Sequence, residues 1–278
     1  MMASETPRAV RWIQSADDAR DSVKELAFRD VLGVMHFRAI LAVTALMITS
    51  IAKADLPATA ERVAAARVKS GPAIEEVFRK AGVAYPPARM HLRGFKREGE
   101  LELWAAGRTG RFVKVAVYPV LGRSGVPGPK RKEGDMQVPE GFYEIDRFNP
   151  KSLFHLSLGL NYPNAADRIL SDPKTPGTDI FIHGNTVTVG CLPMGDDMVE
   201  HLYLAASDTL QKPITVHLFP ARMSGDSWVQ WRDGEVAKNA ALKPFWEQLQ
   251  PAYDYFEKRR RIPKFSVLPD GRYRVLSK

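Results

Sequence analysis

Cys191 is the only cysteine in the 278-residue chain, and it closes the segment 182–191, IHGNTVTVGC. His183 stands eight residues before it, Gly184 follows the histidine, and Gly190 immediately precedes the thiol. Acyl transfer by a cysteine needs a thiolate nucleophile, a base to generate it, and backbone N–H groups aimed at the developing oxyanion. His183 can take the thiol proton, and Gly184 lets the chain turn away without crowding the imidazole. Gly190 permits the tight backbone that would expose the Gly190 and Cys191 amides. Thr188 is placed to hydrogen-bond near that oxyanion site or simply to close the turn. A small buried thiol beside a satisfied core imidazole would show the same spacing, so the pattern alone leaves both readings open.

Strands and a loop must position such a pair. Residues 58–81 have helical spacing broken around Ser70-Gly71-Pro72, which predicts two short helices. From Met90 the period changes to two, and 90–96, 99–106 and 111–120 read as strands joined by turns. Residues 122–141, rich in Gly, Pro and charge, form a long loop of the kind that is commonly functional. Strands are expected at 142–146, 153–158, 179–183 and 214–218, and helices at 165–170, 196–210 and 245–258. The helix from Asp196 carries two acids in its first turn, which suits its dipole. The sum is a mixed, strand-rich α+β fold, largely antiparallel, with peripheral helices. Its segments are an N-terminal helical segment over 55–88, a main domain over 89–222 and a C-terminal helical extension over 223–278.

The longest apolar run, 40–52, follows Arg38 and leads to Ala52-Lys53-Ala54. A positive flank, a short apolar stretch and an Ala-x-Ala exit describe a secretory signal peptide cleaved after Ala54, with translation starting at Met35. The run is too short to span a membrane, which takes about 20 apolar residues. Residues 1–54 are therefore expected to be a leader, and the mature protein to be exported. The whole chain carries 40 Lys+Arg against 32 Asp+Glu, a formal charge of +8, which suits anionic partners such as cell-wall material. A single thiol excludes an internal disulfide and a multi-thiolate zinc site. His91, His201 and His217 show no ligand spacing, so no metal is assigned. The five tryptophans do not interleave with basic residues, which argues against nucleic acid. Lys130, with Arg131 and Lys132, could receive substrate carboxylates or form a solvated loop face, and His155 could face the cleft or the core.

These residues resemble the L,D-transpeptidase catalytic-domain family (YkuD fold), and within it the YafK-like branch. Ile182-His183-Gly184 resembles the family's strand-ending I-H-G, and Thr188-Val189-Gly190-Cys191 its [ST]-H-G-C. The segment GPKRKEGDMQVPEGFY, 128–143, is similar to the branch's G-P-K-x-x-E-G-D-x-x-x-P-E-G-x-Y, and FHLSLGLNYPN, 154–164, also resembles it. Two departures from the common family stand out. The His183–Cys191 loop is several residues shorter than in typical members, and Val189 and Pro193 replace a histidine and an Arg or Asn. The branch shares that short form.

The resemblance implies a YkuD-like, sandwich- or barrel-like catalytic domain that uses no cofactor. Cys191 is implied as nucleophile and His183 as general base and acid, with Gly190, Thr188 and Gly184 shaping the oxyanion loop. Lys130, His155 and Tyr162 are the candidate substrate-binding residues. The implied substrate is a peptidoglycan stem tetrapeptide, with an outer-membrane protein or lipoprotein among possible acceptors or substrates. The acyl acceptor would be an amine, or water in a hydrolase of the same site. A non-catalytic wall-binding module is the remaining alternative.

Overall fold

The computed structural model describes residues 59–277; the expected leader, Met35 included, lies outside them. Helix α1 (Thr59–Lys80) runs unbroken through Pro72, where two helices were expected. A proline inside a helix costs a backbone hydrogen bond. Here Ala66, Ile74 and Phe78 are buried on one face across that position, and this packing outweighs the local defect. Arg67 also clamps Asp208 with two bonds of 2.7 Å.

Eight strands form one curled, half-barrel-like sheet. They are β1 (Arg89–Phe95), β2 (Glu100–Ala106), β3 (Val113–Pro119), β4 (Gly141–Asn149), β5 (Ser157–Leu160), β6 (Phe181–His183), β7 (Leu192–Pro193) and β8 (Ile214–Phe219). Their order is β3-β2-β1-β8-β4-β5-β6-β7. The β1–β8 and β6–β7 pairs are parallel and the others antiparallel. The fold is strand-rich α+β, as the spacing predicts.

Three helices beyond α1 flank β5–β8 and follow them: α2 (Ala165–Leu170), α3 (Asp196–Asp208) and α4 (Gly225–Lys238). A fifth, α5 (Leu242–Arg259), leads to a two-stranded sheet of β9 (Phe265–Val267) and β10 (Tyr273–Val275). Helix α2 begins with a capping box: Asn164 accepts from the Asp167 N–H and Asp167 accepts from the Asn164 N–H.

Both faces of the sheet are covered. On one, Leu92, Leu103, Ile145, Ile182 and Val216 pack with Val199 and Leu202 of α3. On the other, Phe95, Phe142 and Phe219 pack with Trp228, Trp246 and Leu249 of α4 and α5. The elements after residue 222 thus share a core with β1, β4 and β8. They include a strand pair after α5, where no strand was expected.

The strand expected at 153–158 begins only at Ser157. His155 has a left-handed φ of 66°. Arg62 of α1 holds that segment as a loop by donating to the carbonyls of Pro150, Ser152 and His155 at 2.9, 2.9 and 2.7 Å.

Candidate active site

β6 and β7 bring the two ends of the segment 182–191 together. Their parallel register pairs Ile182 with Leu192 and His183 with Pro193. Cys191, the residue before β7, therefore comes beside Phe181, whose N–H donates to Sγ at 3.4 Å. The Sγ in turn donates to the Asp179 carbonyl at 3.5 Å. His183 lies two residues further along β6, about 6.6 Å of strand rise away. Among the described residues no hydrogen bond joins its ring to the thiol.

His183 is 2 % exposed. Its Nδ1 lies 2.5 Å from the Gly184 carbonyl, which can only accept, so Nδ1 carries the proton and Nε2 is the free base. The Phe154 ring covers it at 4.8 Å between centroids. Through Arg62, helix α1 fixes the loop carrying that phenylalanine. Gly184 is required by space: a Cβ there would lie 2.5 Å from Asp196 Oδ1 and 2.7 Å from the Phe154 carbonyl.

Burial pushes the Cys191 thiol above its ordinary value. The Asp179 charge adds to that rise, while the Phe181 N–H and the Lys130 ammonium oppose it. Burial lowers His183, with its bond to Gly184 opposing. Both shifts favour neutral forms, so the resting pair is thiol and imidazole.

Gly190 has a left-handed φ of 100°, and a Cβ on it would sit 3.0 Å from the Gln137 carbonyl. Its N–H, an expected oxyanion donor, donates to Ser124 Oγ at 2.8 Å. Thr188 Oγ1 donates to the Cys191 carbonyl at 2.7 Å and closes the turn. Ser124 and Gln137 come from the long loop, and no spacing in the sequence singled them out. The Gly- and Pro-rich composition of that loop was the available signal.

The three candidate substrate-binding residues are each engaged. Lys130 is buried, with Nζ donating to Asp135 Oδ1 at 2.7 Å and to the Lys132 carbonyl at 2.9 Å. Asp135 also takes the N–H groups of Arg131, Lys132 and Gln137, which folds the loop around it. His155 turns its Nε2 to Glu200 of α3 at 2.7 Å. Tyr162 donates to the Pro176 carbonyl at 2.7 Å. The structure groups Cys191, His183, Gly190, Thr188 and Gly184 around one turn, with Lys130 behind it. Among the described residues no cluster of three or more His, Cys, Asp or Glu side chains is placed to hold a metal. No described helix is long and apolar enough to cross a membrane.

No family model matches the chain. The curated protein "Putative L,D-transpeptidase YafK" of Escherichia coli K12 is 33 % identical over 194 residues, 68 % of this chain and 74 % of the relative. Its counterpart in strain O157:H7 gives the same figures. Among solved structures, the helical cell shape determining protein Pgp2 of Campylobacter jejuni is similar at 19 % identity and a TM-score of 0.41. That match covers 64 % of this chain and 72 % of that one. Bd1075 of Bdellovibrio bacteriovorus is similar at 21 % identity and a TM-score of 0.37, covering 60 % of each.

Proposed function

The chain belongs to the L,D-transpeptidase family, and we propose that it is an exported, periplasmic enzyme that moves an acyl group from a peptidoglycan stem tetrapeptide through a thioester on Cys191. The observation that carries this reading is the β6–β7 pairing, which seats the one thiol of the chain one step from the strand that ends in a buried, Nδ1-protonated histidine.

Sγ swings from the Asp179 carbonyl toward the incoming substrate and passes its proton to His183 Nε2. The sulfur attacks the peptide carbonyl, and the oxyanion is met by the backbone amides of Gly190 and Cys191, Ser124 giving up its bond to the first. Collapse breaks the C–N bond, and Nε2 returns the proton to the departing amine of D-alanine. The acceptor amine then attacks the thioester and loses a proton to Nε2. The C–S bond breaks and the thiolate is reprotonated. Atoms and protons balance without a cofactor. The product is a cross-link between stems or an anchored outer-membrane protein or lipoprotein.

A second reading uses water as acceptor and makes the same site a hydrolase. It is favoured by one observation: Val189, at the position of the family's second histidine, is exposed and offers no polar group to orient an amine. Incubating the protein with isolated muropeptides and reading the products by mass spectrometry tests both. Cross-linked dimers support transfer and shortened stems support hydrolysis. Unchanged muropeptides, with Cys191→Ala behaving like wild type, would remove the catalytic reading altogether.

A further inference from the structure

The C-terminal end of α5 carries the run Lys258-Arg259-Arg260-Arg261, and Lys264 follows it. The turn between β2 and β3, 107–112, is fastened to that end. The Phe112 N–H donates to the Arg260 carbonyl at 2.7 Å, and the Phe112 ring lies 6.1 Å from that of Phe256 in α5. Arg89, the first residue of β1, holds the turn by donating to the carbonyls of Gly107 and Gly110, each at 2.9 Å. The turn that carries Arg108 and Arg111 thus stands beside the basic end of the helix.

Arg108, Arg111, Lys258, Arg259, Arg261 and Lys264 are exposed, and none is paired with a carboxylate among the described residues. Glu257, the acid next to the run, is taken by Arg93 at 2.7 Å and by Arg260 at 2.5 Å. A hollow between turn and helix end is lined by Arg89, Arg261 and Lys264 with Thr109 and Ser277, and by no acid. Burial lowers the Arg89 guanidinium from its ordinary value, and the Arg261 charge adds to that. The dipole of α5 favours cations at its C-terminus, which accounts for Lys258 and Arg259. It does not account for Arg89, Arg108 and Arg111, which come from other elements and add to the repulsion. An anionic partner relieves that repulsion.

Two features choose the partner. The cations extend over both the turn and the helix end, more than one small anion can engage, so the match is to an array of anions. Apolar side chains stand among them: Leu276, whose N–H donates to the Lys264 carbonyl at 2.8 Å, is 56 % exposed, and Val113, next to Phe112, is 43 % exposed. A soluble polyanion makes no use of these, whereas a lipid surface takes apolar groups and the stems of Lys and Arg into its headgroup layer. We propose that this face docks on an anionic lipid surface, with a headgroup phosphate seated in the hollow among Arg89, Arg261 and Lys264. The proposal is independent of the acyl-transfer reading. Leu192, the residue after the nucleophile, lies beside Gly94, about 17 Å of strand rise from Arg89, so docking leaves the Cys191 turn uncovered.

Sedimentation of the full chain with lipid vesicles tests it, comparing pure phosphatidylcholine with a mixture holding about 30 % phosphatidylglycerol. The anionic vesicles should bind at least about tenfold more tightly at about 0.05 M salt, and the preference should vanish at about 0.5 M. Arg108→Glu with Arg111→Glu, and separately Lys258→Glu with Arg261→Glu, should each cut the preference by about tenfold with unaltered melting temperatures. Lys238→Glu with Lys243→Glu makes the same change of charge at the end of α4 and the start of α5, about 22 Å along the helix from Lys258, and should leave it intact. Leu276→Ser should weaken binding to the anionic vesicles by at least about threefold. Equal binding to both vesicles overturns the proposal, as does a preference that survives both double reversals or falls as much in the control. An unchanged affinity in Leu276→Ser would mark the face as one for a soluble polyanion and overturn the lipid assignment. Release from the anionic vesicles by inorganic phosphate at about 10 mM and constant ionic strength would show a site for the free anion instead.

Discussion

His183 ends β6 and Cys191 directly precedes its parallel partner β7, yet the two address different carbonyls: the thiol donates to Asp179 and the imidazole to Gly184. They form no ion pair at rest. Burial raises the thiol and lowers the imidazole, so thiolate is scarcer at neutral pH than in an ordinary cysteine. In the proposed mechanism, proton transfer is thus left to the moment when substrate draws Sγ off the Asp179 carbonyl.

Alkylation of Cys191 by iodoacetamide, followed against pH, should show a midpoint above that of a free cysteine, near 8.5. His183→Gln should leave this midpoint within about 0.3 unit while reducing turnover by at least about 100-fold, the usual scale for a general base. A wild-type midpoint well below that of a free thiol, lost in His183→Gln, would show a resting ion pair and contradict the arrangement.

The turn that carries Cys191 was legible in part because some of its determinants are local. Gly190 needs a left-handed φ, and the apolar run 180–182 reads as a strand, of which 181–183 form β6. The capping box at Asn164 and Asp167 is local too, and α2 falls where it was expected. What escaped the sequence depends on distant partners. Ser124 reaches Gly190 across 66 residues, and Arg62 shapes the loop at Ser152 and His155 from the N-terminal helix. Pro72 suggested a helix break that the buried face of α1 overrides. Helix α4 falls where no separate element is predicted, because Trp228 is its one buried side chain, which leaves no periodic stripe to see.

The face of the sheet turned to α5 holds two buried histidines, His91 and His217, with ring centroids 4.6 Å apart. His217 also faces Phe142 and Phe219, and its Nδ1 has no partner. Burial, with the charge of Arg93 adding, pushes His217 down to about 3, and burial lowers His91 as well. A histidine depressed in the folded state stabilises above its unfolded value, near 6.5, and that stability is lost as pH falls toward the folded value. The protein should therefore lose stability steadily from pH 6.5 down to about 3. His217→Phe should remove part of this acid limb and change stability at pH 7.5 by less than about 1.5 kcal/mol. Melting temperatures across pH decide it, and an unchanged acid limb in the variant would refute the assignment.

Asp167 behaves in the opposite sense. It is buried beneath Arg131, and its Oδ2 accepts from Tyr143 Oη at 3.0 Å and from the Asn164 N–H at 3.2 Å. Burial raises it to about 6 despite those bonds. An acid raised in the folded state stabilises below its unfolded value of 3.8, and that contribution is lost as pH rises through about 6. The change is on the order of 2–3 kcal/mol. The melting temperature of Asp167→Asn relative to wild type should accordingly increase between pH 4 and pH 7. A difference that stays constant over that range would show that Asp167 ionises normally in the fold, and one that falls would show it lowered rather than raised.

The central claim is that Cys191 carries the acyl group, and intact-protein mass spectrometry after mixing with a stem tetrapeptide tests it most directly. Wild type should gain the mass of the acyl tripeptide, with D-alanine released and the adduct cleaved by hydroxylamine as a thioester. His183→Gln should accumulate little of it, and Cys191→Ala none. Release of D-alanine by Cys191→Ala at the wild-type rate, or turnover with no adduct in any quenched sample and a labelled peptide transferred to another residue, would contradict the account.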